Sequence, residues 1–383
     1  MGKMEFDFVV IGATGMQGRI VVRDLLEHDY SVLLCGRDKK RVEHILSVYK
    51  KTDFVYLDLN DKRKIHKIIR KYGSNVVINC AEGDWNLSVL DSCIEAGVHS
   101  IDLGSDIDMT KEQLSRDKIM KEKNLIHITG YGSVPGIGNV MLNYAAEKFE
   151  NIDDVEVGFA WDSNIKKFVV PFSIQSIIEE FVSPAPIVSE GNVVKIKPFD
   201  SLIKCYHRAI GRENQFNVGH HPETFTMYNY CKNKGVKNVK FYAGFPDHSY
   251  NAINTFIESG LGNKDEIEYK GNKIKPIEYL TEILKDLKIP EGYKETENLW
   301  LTVKSKKKKI IMECVVQTMK GWEDATCNID TGMPASIIAQ MIKKEIIKMP
   351  GSYAPENIVP IIPFFKELKK RGMLIYENGR AIN

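Results

Sequence analysis

Over its first 130 residues the chain alternates short apolar runs with amphipathic stretches, and nothing else in it constrains the fold as strongly. Residues 6–11 place Phe8, Val9, Val10 and Ile11 in a row, as a strand buried on both faces requires. Residues 19–27 then carry apolar side chains at helical spacing. Further strands are expected at 31–35, 53–57, 76–80, 98–103 and 125–129. Between them, helices are expected at 39–48, 64–72, 86–96 and 110–123. Strand and helix in alternation imply crossover connections, and so a doubly wound parallel sheet with helices on both faces.

The turn between the first strand and the first helix reads Gly12-Ala13-Thr14-Gly15-Met16-Gln17-Gly18. A pyrophosphate touching main-chain N–H groups needs residues without obstructing side chains, and the helix N-terminus adds a favourable dipole. Placed at the start of a βαβ unit, the glycine triple identifies a dinucleotide-binding turn. The end of the second strand separates NAD from NADP. It carries no acid at the strand end, and Arg37, with Lys39 and Arg41 close by, suits a 2′-phosphate. NADP is therefore expected, with NAD open if Asp38 reaches the ribose instead. Asp58 and Leu59, past the third strand, are placed for the adenine, and Cys80 and Ala81, past the fourth, for the ribose.

The remaining composition narrows the partners. Lys plus Arg number 53 against 51 for Asp plus Glu, which gives no electrostatic case for nucleic acid. No apolar run approaches the ~18 residues of a spanning helix. Lys3 and Glu5 argue against a signal peptide. The seven cysteines are scattered without a Cys-x-x-Cys pair, so no metal site is suggested and reduced thiols fit a cytoplasmic enzyme.

After residue 151 the pattern changes. Residues 155–160, 193–196 and 239–243 alternate as half-exposed strands do, and 299–305 with 309–317 read as a hairpin around Lys306–Lys309. Asp247 and Pro276 open helices. An α+β domain on a mainly antiparallel sheet follows. A decoy lies at the junction. Tyr144 and Lys148 match Tyr-x-x-x-Lys, with Ser133 upstream and Asn79 ending the fourth strand, the set a short-chain dehydrogenase uses for carbonyl reduction. The same two residues also fit an ordinary core-facing helix over 139–149.

The stretch from Thr129 through Gly130-Tyr131-Gly132-Ser133-Val134-Pro135-Gly136 to Val140 resembles the saccharopine dehydrogenase family. Two later segments carry the same likeness: Thr331-Gly332-Met333-Pro334-Ala335-Ser336-Ile337, expected to open a helix, and Pro355-Glu356 followed by Phe364 to Met373. The resemblance implies a dinucleotide domain at 1–133, an α+β substrate and dimerisation domain at 134–332, and C-terminal helices at 333–383 returning to the first domain. It implies a homodimer that transfers hydride to or from a C–N bond of a small-molecule amino-acid substrate. Such chemistry needs carboxylate binding and a proton carrier. Arg212, Glu223 and Thr224 are the expected substrate contacts, and Tyr131, His220 and His221 the expected catalytic groups, with metal not required. Three rivals stand beside this reading: a lysine 6-dehydrogenase-like amine oxidation, a short-chain-type carbonyl reduction, and a non-catalytic NADP sensor.

Overall fold

A computed structural model describes residues 6–72, 74–170, 173–219, 221–284 and 287–383. Its first sheet holds seven strands, all parallel. In chain order the first six are β1 (Phe8–Ile11), β2 (Val32–Gly36), β3 (Thr52–Tyr56), β4 (Val76–Asn79), β5 (His99–Asp102) and β6 (Ile126–Ile128). In space they run β6-β5-β4-β1-β2-β3, with a seventh strand, Gly351–Tyr353, beyond β6. Phe8, Val9, Val10 and Ile11 are all buried, because helices cover both faces of a parallel sheet. The side chains split between the faces: Phe8 and Val10 join one core cluster, Val9 and Ile11 another.

Two expected helices are broken. Residues 39–48 form a 3₁₀ turn, Lys39–Val42, and then a helix, Glu43–Val48. The Asp38 carboxylate caps that turn, accepting from the Lys40 N–H at 3.0 Å. The stretch 110–123 holds two helices, Ile107–Leu114 and Asp117–Glu122. The break sets Asp117 against the seventh strand, where its carboxylate accepts from the Ser352 N–H at 3.2 Å.

The second sheet has ten strands and is mainly antiparallel. Its centre is Asp154–Ser163, paired in parallel with Asn238–Gly244 on one side and antiparallel with Glu295–Lys304 on the other. Glu295–Lys304 and Lys309–Gln317 form the expected hairpin. The helix expected to open over Thr331–Ile337 runs from Ile329 to Lys343 and packs along the first helix, Met16–Glu27. The tail behaves differently from expectation: Leu374–Glu377 and Arg380–Ala381 extend the second sheet beyond Lys309–Gln317 rather than returning to the first. No helix among the described residues is long and apolar enough to cross a membrane.

Candidate functional site

Gly12 follows β1 with φ +75°, a conformation L side chains rarely adopt, and a Cβ there would stand 2.7 Å from Ala81 N. Gly18 lies so close beneath the turn that its Cβ would meet Gly12 O at 2.2 Å. The helix Met16–Glu27 begins at Gly15 with no side-chain cap and no acid in its first turn, so its first N–H groups are free for an anion. Ala13 is buried, its N–H bonded to Cys35 O at 3.0 Å.

From this turn a groove of about 300 Å³ runs outward, lined by Thr14, Arg37, Arg41, Asp58, Leu59 and Cys80 among others. Arg37 lies close enough to Asp58 to help Asn60's N–H and side chain hold that carboxyl below its usual range. Neither Arg37 nor Arg41 has an ion-pair partner among the described residues. Asp38, engaged in its cap, does not line the groove. The obstruction-free turn and two unpaired guanidinium groups fit NADP. Replacing Arg37 with Asp removes a charge-assisted bond of roughly 1.5–3 kcal/mol. NADP affinity should then fall about 10- to 100-fold with NAD little changed; equal losses for both in a titration would contradict this assignment.

The groove shares Gly15, Cys80, Ala81 and Glu82 with a second cavity of about 460 Å³ between the two sheets. One wall belongs to the dinucleotide side: Met16 and Gln17, Gly83, Leu103 and Gly104, then Ser133 and Val134. Gln17 Nε2 donates to Asn328 Oδ1 at 3.1 Å, tying this wall to the start of the Ile329–Lys343 helix. Thr331 Oγ1 donates to Ser133 Oγ at 3.3 Å. The opposite wall comes from alternating positions on paired strands, Phe159 and Trp161 beside Glu295 and Glu297, with Trp161 directly across from Glu297. One face of the helix Ile174–Val182 adds Ser176 and Glu180, with its cap Ser173.

His221 lies in this wall, stacked on Phe241 with ring centroids 3.7 Å apart. Its Nε2 is 3.5 Å from Glu180 Oε1 and its Nδ1 3.4 Å from Glu223 Oε2. Burial pulls its pKa down, but the two carboxylates outweigh burial and hold it at about 9, so the ring is a cation at neutral pH. Glu223 is fully buried beneath it, and the Thr224 hydroxyl reaches His221 O at 3.5 Å.

The other expected residues lie elsewhere. Tyr131 is fully buried, edge-on to Phe364, and does not line the cavity; Ser133, two residues on, does. Arg212 is exposed on a hairpin and lines a separate pocket with Lys204 and Glu213, because its strand turns it away from the cleft. His220 lies outside the described residues. Tyr144 and Lys148 are both bound to Glu377, at 3.1 and 2.7 Å, and neither lines the cleft, which removes the short-chain-type proton donor. Glu180, Glu295, Glu297 and Asp330 were not foreseen. Among the described residues no Lys or Arg lines the cavity.

Fold and groove define a two-domain dinucleotide-dependent oxidoreductase. The model of the saccharopine dehydrogenase NADP binding domain matches residues 8–150, and that of the saccharopine dehydrogenase C-terminal domain matches residues 132–373. The chain belongs to the saccharopine dehydrogenase family and is an NADP-dependent member of it. It is 24% identical to carboxyaminopropylagmatine dehydrogenase of Synechocystis sp., over 96% of each chain. It is 21% identical to carboxynorspermidine synthase of Vibrio cholerae, over 95% of this chain and 92% of that one. In fold it is similar to apo saccharopine dehydrogenase (L-Glu forming) from Saccharomyces cerevisiae, with a TM-score of 0.76 at 12% identity over 99% of this chain and 100% of that one.

Proposed function

We propose that the protein forms a C–N bond by reducing the imine of an aldehyde-bearing amino acid and a primary amine. The observation that carries this reading is His221, a cation held between Glu180 and Glu223 in the cleft that continues the dinucleotide groove. The aldehyde and the amine condense with loss of water. His221 gives its proton to the imine nitrogen, which makes the adjacent carbon electrophilic. NADPH held at the Gly12–Gly18 turn and by Arg37 and Arg41 would supply the hydride for the new C–H bond. A secondary amine leaves, and His221 regains its proton from solvent.

The amine is the partner the cleft is built to attract, since its described lining carries Glu82, Glu180, Glu295, Glu297 and Asp330 and no Lys or Arg. Both curated relatives are named for amine chains carrying an added carboxyl group, and such products fit this lining. Ser133, Ser173, Ser176 and Thr331 offer hydroxyl donors for the carboxylate of the amino-acid half.

The test is NADPH consumption against a panel of linear amines, each offered with and without an aldehyde-bearing amino acid, alongside lysine with NADP. Consumption that requires both halves supports imine reduction. NADP reduction by lysine alone would move the assignment to amine oxidation, and tight NADP binding without turnover on any pair would make the protein a sensor.

A further inference from the structure

Asp102, the last residue of β5, is 2% exposed and holds two loops at once. Its Oδ1 accepts from the Gly104 N–H at 2.8 Å, in the loop after β5, and from the Gly130 N–H at 3.0 Å, in the loop after β6. Its main-chain carbonyl takes the Tyr131 N–H at 2.8 Å. Behind it, Oδ2 accepts from Gln113 Nε2 at 2.5 Å, and Gln113 Oε1 takes the Thr129 hydroxyl at 2.8 Å. A second link runs from Gly104 to the loop after β4. Asn86 Nδ2 donates to Gly104 O at 3.0 Å, Asn79 Nδ2 to Asn86 Oδ1 at 2.8 Å, and the Ala81 N–H to Asn79 Oδ1 at 3.2 Å. Ala81, Gly104 and Ser133, one from each of the three loops, line the cavity between the sheets.

Gly104 has φ +106° and Gly130 φ +70°, and a Cβ on either would stand 3.0 Å from Pro135 Cγ. Backbone this free loses much entropy when it is ordered, so the loops need a strong hold. Asp102 supplies it as charge-assisted bonds, roughly twice as strong as neutral ones. The titratable groups facing it are His127, whose Nε2 is 3.5 Å from Oδ2, and the Cys80 thiol. Burial pushes His127 down and Cys80 up, so both are uncharged at neutral pH. A carboxylate buried without a cation is expensive to keep, and a side chain that only had to fill this space would be cheaper apolar.

A dinucleotide with its 2′-phosphate at Arg37 and its diphosphate at the glycine turn carries its nicotinamide into this cavity, against the three loops. We propose that Asp102, together with Asn79 and Asn86, positions the nicotinamide ring by fixing the wall that Ala81, Gly104 and Ser133 present to it. None of the three side chains touches a reacting atom. They set the approach of the hydride to its acceptor, where a misplacement of about 1 Å costs on the order of 100-fold in rate. The inference goes beyond the choice of substrate and holds whichever electrophile takes the hydride.

The experiment compares, by calorimetry, the binding of NADPH and of 2′-phospho-ADP-ribose, which lacks the ring, to the parent and to Asp102→Asn. The amide keeps an oxygen for the two glycine N–H groups, and Gln113 can turn to meet its nitrogen, so the fold is retained while the charge-assisted hold is lost. The fragment's affinity should stay within about 2-fold of the parent's, while the extra affinity that the ring confers falls about 10-fold. Amide hydrogen exchange in the cofactor-free protein should quicken about 10-fold at Gly104 and Gly130. On a substrate that the parent turns over, kcat should fall about 10- to 100-fold with little change in KM. Asn86→Ala cuts the second link alone and should lower the ring-dependent affinity in the same way; it decides the matter if Asp102→Asn fails to fold. Equal losses for NADPH and the fragment would make the network a general structural anchor and overturn the proposal. So would faster exchange at both glycines with the ring's contribution unchanged. Either failure leaves imine reduction standing, and a failed imine assay leaves the ring-dependent affinity to be read as before.

Discussion

Replacing His221 with Gln lowers kcat for imine reduction by about 100- to 10,000-fold, the usual contribution of a positioned proton donor, while NADP affinity is retained. Gln fills much of the same space against Phe241 and can still donate to Glu180 or Glu223, so the packing survives and the mobile proton does not. The pH profile gives a second reading of the same group. The working form is the cation, so the parent's reducing activity should hold at neutral pH and fall as pH rises through about 9. Glu223→Gln removes one of the two carboxylates that outweigh burial, and the fall should then move to lower pH. The stability of the pair follows the same sign. The folded pKa lies above the unfolded 6.5, so the contribution is fully present below about 6.5 and is lost as pH rises through about 9. A kcat–pH profile that Glu223→Gln leaves in place would show that another group carries the proton.

How far the amino-acid sequence reaches depends on whether a signal is local. The β1 run, the glycine turn and Arg37 lie within 30 residues of one another, and their chemistry follows from one βαβ unit. The hairpin around Lys306–Lys309 was legible because two apolar runs flank a solvated run of lysines. The acids of the cleft were not. Glu295 and Glu297 extend the same strand, but as polar residues they read as the loop before it, since the face they occupy is polar only because a cavity lies there. Asp330 stands just ahead of a recognisable helix-opening segment, and its meaning comes only from Glu297, 33 residues earlier in the chain. Arg212 shows the opposite error. A basic residue near histidines suggested carboxylate binding, yet the register of its hairpin carries it to a different pocket. The strand Gly351–Tyr353 is three residues long, too short for any periodicity to declare it.

Arg371→Ala should cost about 3–5 kcal/mol of stability, as should Asp24→Ala, read as a loss in the free energy of unfolding by urea. Asp24 sits on the first helix at 2% exposure and Arg371 beyond the last helix at 4%. The guanidinium meets the carboxylate with two bonds, Nε to Oδ1 at 2.8 Å and Nη2 to Oδ2 at 2.9 Å. Ser336, on the Ile329–Lys343 helix, donates to the same Oδ2 at 2.6 Å, and Glu367 takes the remaining Arg371 Nη1 at 3.0 Å. This network pins the dinucleotide helix to two elements that come more than 300 residues later. Removing either member alone strands a buried charge, which is why each single loss is large. Replacing both with Leu removes the desolvation cost together with the attraction, so the double variant should be less destabilised than either single one. The helix Ile329–Lys343 also carries Asp330 and Thr331 into the cleft, so loosening it should raise KM for the amine before NADP affinity changes. Additive losses in the double variant would mean that the two side chains act separately and that the last helix is held by its apolar packing alone.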